Sequence, residues 1–337
     1  MILVTGGTGL LGSHLLFELC KQGFRVRALY RNESKIKTIL PLFKHYSPEQ
    51  AEQLFQQIEW IKGDIDDIFS LEDALEGIDK VYHCAALVSF DAADRAELIR
   101  INEKGTANVV NACLDANISK LCHVSSTAAI GRSKDDSLIH EKTQWKNAPE
   151  NTWYAISKYN AEREVWRGIE EGLPAVIVNP SVILGPGDWN SSSTSMFRNG
   201  SKGMMFYTDG GNAFVDARDV AIIMVKLMES PLTEERFLCV AENRSFRSLF
   251  DEIAQAWGKK KSRYRAGKFL SGLAWRMDKF ISFFLRKKAL LTKETARAAR
   301  RTYRYDNSKI KQALNFEFRS IKETIENAHN YFSKQKN

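Results

Sequence analysis

Short apolar segments alternate with longer amphipathic segments through the first half of the chain. The short segments are almost entirely apolar, which indicates strands that are covered on both faces of a sheet. We predict strands at residues 1–5, 24–30, 57–61, 79–84, 120–125 and 174–179. Strands that alternate with helical segments are typical of crossover units, so the sequence predicts an α/β fold with a doubly wound parallel sheet.

Helical patterns connect these strands, and the character of the sequence changes in the second half. Leucines fall on one face of a first helix that Gly23 ends, and residues 92–117 form a longer predicted helix. After Pro186 a polar run leads to two short predicted strands, at 204–208 and 213–215, and then mostly to helices. A smaller, mostly helical C-terminal part is therefore expected.

A glycine-rich loop follows the first predicted strand and opens the first helix. Its glycines suit three requirements of a dinucleotide-binding loop: a tight turn, close approach of the backbone to a pyrophosphate, and close packing of helix on strand. The amide groups and the positive dipole end of the helix favour the anion. The sequence therefore predicts a Rossmann-type sheet. The candidate cofactor-binding residues of the loop are Gly6, Thr8, Gly9, Leu10, Leu11 and Gly12.

The end of the second predicted strand indicates which dinucleotide binds. An acidic residue there would hold the hydroxyls of the adenosine ribose. This chain has Arg31 instead, with Lys35 shortly after it. Because a guanidinium binds a phosphate through two hydrogen bonds and stacks on adenine, we expect NADP(H) to be preferred. The alternative is that Arg31 is an ordinary surface residue and that NAD(H) binds as well.

A tyrosine and a lysine lie four residues apart after the fifth predicted strand. Tyr154 and Lys158 share one face of a helix, and a nearby cation brings the pKa of a tyrosine toward the working range of a proton carrier. The strand ends in Ser125 and Ser126, at the sheet edge where ligands bind. A hydroxyl at this edge can donate to a substrate oxygen as charge builds on it. Either serine is a candidate, because the sequence fixes the strand end only to within one residue.

These features occur together with further motifs in a fixed order. The others are Gly63-Asp64-Ile65, His83-Cys84-Ala85-Ala86, Asn102-Glu103-Lys104-Gly105-Thr106 and Phe214-Val215-Asp216-Ala217-Arg218-Asp219-Val220. With them the chain resembles the extended short-chain dehydrogenase/reductases over essentially its whole length. The resemblance implies a catalytic set: Tyr154 donates or accepts the proton, Lys158 holds the nicotinamide ribose and tunes Tyr154, and Ser126 donates to the substrate oxygen.

The resemblance also implies positions beyond the catalytic set, and Asn102 is implied to be a structural residue that supports the active-site strands. In addition to Arg31 and Lys35 at the end of the second strand, the implied cofactor contacts outside the glycine loop are Asp64, Ile65, Ala85, Ala86, Tyr154, Lys158, Pro180 and Val182. His83 and His123 lie inside strand-like segments and are interpreted as packed core histidines. No cluster of His, Cys, Asp and Glu has metal-ligand spacing, so no metal is expected.

Two domains are predicted. Residues 1–185 form the NAD(P)-binding domain, and residues 186–337 form a substrate-binding domain. Residues 213–240 are expected to pack back on the first domain.

Two branches of the family suggest different reactions for this chain. The stretch from Val178 to Gly187 resembles dihydroflavonol-reductase-like and cinnamoyl-CoA-reductase-like enzymes, and Val176 stands where nucleotide-sugar enzymes often have arginine. We therefore expect NADP(H)-dependent reduction of a ketone or aldehyde. The alternatives are a nucleotide-sugar epimerase or dehydratase and a non-catalytic NADP-binding regulator, although the intact catalytic set argues against the regulator.

The substrate pocket is expected after Ala86, around residues 126–130 and in the C-terminal domain. Its apolar candidates are Phe90, Trp145, Trp153 and the stretch Met204-Met205-Phe206. They favour a small-molecule substrate with a hydrophobic portion, although ordinary core packing explains the same residues equally well.

Composition adds a statement about compartment. The chain has 337 residues, of which 44% are hydrophobic and 27% charged, as in a globular protein and unlike a disordered one. Its five cysteines have no CxxC spacing, which indicates free thiols in a reducing compartment. The N-terminus lacks a basic leader and no segment has the length of a spanning helix, so a cytoplasmic location is expected.

The positive charge is concentrated in one region. The net charge is +8 (49 − 41), and residues 251–310 alone hold 17 basic and 5 acidic residues, which gives +12. Within it, residues 259–288 combine basic flanks with an apolar helical stripe. Three interpretations stay open: a solvated substrate-domain helix, a peripheral contact with an anionic membrane, and a homodimer or partner surface. Nucleic acid is not expected, because no recognised binding module accompanies the charge.

Overall fold

The computed structural model describes residues 1–132, 137–189, 192–267 and 299–335. Most of the predicted basic and apolar segment 259–288 therefore lies outside the described residues. In its described part, Lys259, Lys260 and Lys261 are exposed.

A parallel sheet of seven strands forms the centre of the described structure. Its strand order is β3-β2-β1-β4-β5-β6-β10, so the order reverses between β1 and β4. The strands are β1 (Ile2–Thr5), β2 (Val26–Tyr30), β3 (Ile58–Lys62), β4 (Lys80–His83), β5 (Lys120–Val124), β6 (Ala175–Pro180), β7 (Val182–Leu184), β8 (Phe206–Tyr207), β9 (Gly211–Asp216), β10 (Glu235–Cys239), β11 (Glu242–Ser245) and β12 (Tyr264–Arg265). The predicted Rossmann-type sheet is confirmed, and each of its six predicted strands is present.

Helices cover both faces of this sheet, α1 and α9 on one face and α6 and α7 on the other. The helices of the described residues are α1 (Leu10–Lys21), α2 (Leu40–Tyr46), α3 (Ala51–Gln56), α4 (Ile68–Leu75), α5 (Arg95–Leu98), α6 (Gly105–Asp115), α7 (Trp153–Glu170), α8 (Ser195–Gly200), α9 (Ala217–Glu229), α10 (Phe246–Ala256), α11 (Ser308–Leu314) and α12 (Ile321–Lys334). The long helix predicted at 92–117 is interrupted, because a π-helical stretch, Ile99–Lys104, separates α5 from α6.

Two apolar cores explain why the strands are apolar throughout. Leu3 of β1 packs in the core beneath α6 and α7, whereas the next residue, Val4, packs in the core beneath α1 and α9. Successive side chains of a strand point to opposite faces, so a strand covered on both faces needs apolar residues at every position.

The C-terminal part has a third core and returns one strand to the main sheet. Leu184, Phe197, Phe214, Ile253 and Phe332 pack together beside a small sheet with the order β7-β9-β11. Beyond it, β10 pairs with β6 at the edge of the central sheet, and α9 packs on α1. Helix α9 and strand β10 thus lie against the N-terminal part, while the division of the chain into two domains stays a prediction.

The short predicted strands of this part differ from the observed ones in their bounds. The strand expected at 204–208 is limited to β8, and the strand expected at 213–215 is the longer β9. Within the described ranges, no helix combines the length and the apolar character that crossing a membrane requires.

Candidate active site

The glycine loop makes a close contact with the neighbouring strand end. Gly6 has a left-handed backbone with φ +69°, and a Cβ atom there would lie 2.5 Å from the amide nitrogen of Ala85. A Cβ atom at Gly12 would lie 2.2 Å from the carbonyl oxygen of Gly6. Gly9 is the N-cap of α1 and supplies no side-chain cap. The loop therefore places the amino end of α1 beside Ala85 in a form that suits an anion.

The residues expected to choose the cofactor lie together at the ends of β2 and β3. The Arg31 guanidinium lies 3.6 Å from the Asp64 carboxylate, and 58% of the Arg31 side chain is exposed. Lys35 is exposed in the 3-10 turn that follows. Two cationic side chains and one carboxylate thus border the position where an adenosine ribose is expected.

Asn102 connects the loop that follows β4 to helix α7. Its side chain is 1% exposed and forms two hydrogen bonds with the backbone of Leu87, which donates at 2.7 Å and accepts at 2.9 Å. It also donates to the Ser157 hydroxyl at 2.9 Å. Asn102 therefore ties the segment after Ala85 and Ala86 to the helix that carries Tyr154 and Lys158.

Tyr154, Lys158 and Ser126 meet at the carboxyl end of β5. The Tyr154 phenol lies close enough to the side chain of Ser126 for the two to interact. The Lys158 ammonium group donates to the carbonyl oxygen of Val124 at 2.7 Å. Thr152 caps α7 by accepting from the Ala155 amide at 3.1 Å, which fixes where the helix begins.

Burial changes the pKa values of both titratable groups. Burial raises the pKa of Tyr154, contrary to the expectation that the neighbouring cation brings it toward the working range, and the Ser126 side chain opposes that rise. Burial lowers the pKa of Lys158 to about 8, and the nearby Glu162 carboxylate opposes it. At neutral pH this arrangement keeps a proton on the phenol and a positive charge on the lysine.

The two serines at the strand end have different surroundings. Ser126 lies beside Tyr154, whereas the Ser125 hydroxyl donates to Glu162 at 2.6 Å and is 4% exposed. Of the two alternatives that the sequence left open, the structure brings Ser126 next to the phenol.

The predicted apolar lining is only partly brought together. Phe90 packs edge-on against Tyr154 with ring centroids 5.5 Å apart, and 42% of it is exposed. The Arg95 guanidinium lies over the ring of Trp153, with its central carbon 3.7 Å from the ring centroid. Trp145 instead stacks on Tyr159 at 4.4 Å, on a different face of α7 from Tyr154. Of these three predicted lining residues, Phe90 is thus the one that contacts Tyr154.

Sequence reasoning missed a polar group behind this site. Glu162 is 2% exposed and contacts Ser125, while Arg236 of β10 forms an ion pair with it at 2.8 Å. One signal was available in the sequence. Glu162 follows Lys158 by four residues on α7, just as Lys158 follows Tyr154, so these three side chains share one helix face.

His83 and His123 are buried in the sheet, with ring centroids 5.2 Å apart. Burial lowers the pKa of His83 to about 3 and lowers that of His123 as well. Both are therefore neutral core residues at neutral pH. Across the described part of the chain, no group of three or more His, Cys, Asp and Glu residues has a metal-binding arrangement.

Comparison with known proteins gives matches over most of the chain. The profile of the NAD dependent epimerase/dehydratase family matches residues 2–238. The chain is 30% identical over 336 residues to a putative dihydroflavonol 4-reductase of Synechocystis sp., covering 98% of this chain and 93% of that protein. It is 30% identical over 249 residues to cinnamoyl-CoA reductase 1 of Petunia hybrida, covering 71% and 72%.

Solved structures repeat the fold. UDP-glucose 4-epimerase of Thermotoga maritima, solved with UDP-glucose, superposes with a TM-score of 0.77 at 19% identity, covering 100% of this chain and 99% of that one. At this identity the likeness concerns the fold alone.

Proposed function

The chain belongs to the NAD dependent epimerase/dehydratase family, as an NAD(P)-dependent oxidoreductase of the extended short-chain type, and we propose that it reduces the carbonyl of a small, partly hydrophobic ketone or aldehyde with NADP(H). The observation that carries this proposal is the convergence of Tyr154 and Ser126 at the carboxyl end of β5, beside the buried Lys158 cation. The names of the dihydroflavonol and cinnamoyl-CoA reductases support it.

The residues around the glycine loop fit a nicotinamide dinucleotide. A side chain at Gly6 or Gly12 would collide with neighbouring backbone, so the loop keeps its backbone open for a close approach. Gly9 at the N-cap leaves the amino end of α1 to a pyrophosphate, and Asp64 and Arg31 flank the expected adenosine. When bound, the reduced nicotinamide supplies a hydride to the carbonyl carbon.

Tyr154 and Ser126 then act on the carbonyl oxygen. The raised pKa of Tyr154 keeps its proton in place at neutral pH, which is the state that a proton donor needs. Ser126 donates a hydrogen bond to the same oxygen as negative charge develops on it. The Lys158 cation stabilises the phenolate that remains after the proton is transferred.

NADP(H) is proposed over NAD(H) because of Arg31. Its side chain is 58% exposed at the end of β2, so it can turn from Asp64 to a ribose phosphate without disturbing the core. Phe90, exposed beside Tyr154, supports a substrate with an apolar portion. A cytoplasmic location, a homodimer and a membrane contact through residues 259–288 stay predictions.

The test is turnover by a tyrosine variant. Tyr154→Phe removes the proton donor and keeps the ring, so the rate of NADPH consumption with aldehydes and ketones should fall by at least about 100-fold. NADPH binding, followed by fluorescence, should be nearly unchanged. Tyr159→Phe is the matched control, because that tyrosine lies on the same helix and stacks on Trp145.

The competing reaction has a distinct outcome. Protein that carries tightly bound NAD⁺ and turns over a sugar nucleotide without added cofactor would replace the reductase proposal with an epimerase. Full activity in Tyr154→Phe would remove the phenol from its proposed role.

A further inference from the structure

A buried carboxylate lies directly behind the candidate catalytic set. The Glu162 side chain on α7 is 3% exposed. One of its oxygens accepts from the Ser125 hydroxyl at 2.6 Å and from the Asn179 amide at 2.7 Å. The other accepts from the Arg236 guanidinium at 2.8 Å and from the Trp166 indole at 3.4 Å. Both carboxylate oxygens are thus fixed by donors from α7, β6, β10 and the end of β5.

From this cluster we infer that Glu162 is a positioning residue of the reductase: it fixes the strand end that carries Ser126 and supports the positive charge of Lys158. The inference rests on the proposed function, because it concerns the same catalytic set. It goes beyond that function in assigning a role to a side chain that lies behind the reacting groups.

The first step is mechanical. Asn179 donates both to Glu162 and, at 3.1 Å, to the carbonyl oxygen of Ser126. Ser125, the residue before, is held by its own hydroxyl on Glu162. Glu162 therefore fixes two successive residues of the strand end, one directly and one through Asn179. A side chain that must meet the Tyr154 hydroxyl needs that support.

The second step is electrostatic. Lys158 is 2% exposed, so its charge has lost most of its hydration, and its ammonium group donates to the Val124 carbonyl. The Glu162 carboxylate, one helical turn away, offsets that cost by favouring the charged lysine. The other titratable or charged groups around Lys158 and Glu162 are Tyr154, Cys84, His83, His123, Arg236 and Glu141. Both histidines are neutral at neutral pH, so Glu162 supplies the negative charge on this side.

The third step concerns Arg236, which balances Glu162. A buried carboxylate without a partner is strongly destabilising, and β10 brings the guanidinium of Arg236 against it. Arg236 also donates to the backbone carbonyl of Glu141 at 2.8 Å, in the segment that leads toward α7. The edge strand of the sheet thus takes part in the charge balance behind Lys158.

The test uses Glu162→Gln, which removes the charge and keeps the size. The pKa of Lys158 should fall by about one pH unit, read from the ε-carbon signal of ¹³C-labelled lysine and assigned with Lys158→Arg. The high-pH limb of kcat/KM for carbonyl reduction should move to lower pH by the same amount. Glu162→Asp keeps the charge and should restore most of both shifts. If the glutamine variant does not fold, the Lys158 pKa and the pH profile are measured in Glu162→Asp instead.

Glu164→Gln is the matched control, because Glu164 lies on the same helix and pairs with Arg167 at the surface. Neither measurement should change in it. An unmoved Lys158 pKa in Glu162→Gln, or an equal shift in Glu164→Gln, would overturn the inference. The NMR shift needs no turnover, so a protein that reduces no carbonyl yet shows the shift would lose the proposed function and keep the charge support by Glu162.

Discussion

Two neighbouring residues of the site have pKa values that burial moves in opposite directions. Burial disfavours the charged form of each group, so it raises the pKa of Tyr154 and lowers that of Lys158 to about 8. As the pH rises, Lys158 therefore loses its proton before Tyr154 does. If the site works as proposed, the lysine sets its working pH range, although the tyrosine transfers the proton.

The pH dependence of activity follows from this order. We expect kcat/KM for carbonyl reduction to be level near neutral pH and to fall as the pH rises through about 8, because the neutral lysine no longer stabilises the phenolate. The measurement is a pH profile with saturating NADPH. A profile that stays level well above that pH would contradict the role given to the Lys158 charge.

Arg31 is predicted to decide between the two dinucleotides. Arg31→Asp should lower the ratio of kcat/KM for NADPH to that for NADH by roughly 10- to 100-fold, since a charged hydrogen bond to phosphate is worth about 1.5–3 kcal/mol. Arg25→Asp is the control, because Arg25 is exposed just before β2, away from the cofactor end. An unchanged ratio in Arg31→Asp would refute this account of selectivity.

Elements set by local pattern agree with the sequence, and elements set by long-range pairing do not. The first six sheet strands are as predicted, because their apolar character is visible within a few residues. β10 is short and begins with Glu235 and Arg236, so its place at the edge of the main sheet depends on pairing with β6. The π-helical break at Ile99–Lys104 likewise has no local breaker residue before it.

Helix α1 depends on the absence of a side chain at Gly12, in its first turn. Gly12→Ala should lower the free energy of unfolding by roughly 1–3 kcal/mol and weaken NADPH binding, because the added methyl group would meet the Gly6 carbonyl. Denaturant unfolding and fluorescence titration measure the two effects. Gly23→Asn, after α1, is the control: asparagine tolerates the positive φ there, and the space around Gly23 is open. Equal effects in both variants would exclude the proposed collision.

At the scale of the whole molecule, three buried histidines link stability to pH. Burial lowers the pKa of His14 to about 4 and of His83 to about 3, and it lowers that of His123 as well. Their unfolded pKa is near 6.5. Below that value the unfolded chain binds protons that the folded chain excludes, so stability is present above about pH 6.5 and is lost as the pH falls.

His123→Leu should reduce this loss. Neither ring nitrogen of His123 has a hydrogen-bond partner among the described residues, so a leucine of similar size should fit without leaving a polar atom unsatisfied. Between pH 7 and 5 the free energy of unfolding of the wild type should fall by roughly 2 kcal/mol for each buried histidine. In His123→Leu the fall should be smaller by the contribution of one histidine. Urea unfolding at the two pH values measures it, with the exposed His140→Gln as control. An equal loss in His123→Leu and the wild type would contradict the assignment.

The sequence by itself determined the parallel sheet, the glycine loop and the pairing of Tyr154 with Lys158. These features follow from spacings of a few residues, which the geometry of strands and helices fixes locally. Tertiary structure alone decided that Ser126 and not Ser125 lies beside Tyr154, since neighbouring residues at a strand end point in different directions. It also decided that Arg236 meets Glu162, although the two residues are 74 positions apart in the sequence. Such a contact depends on how distant segments pack, and no local period records it.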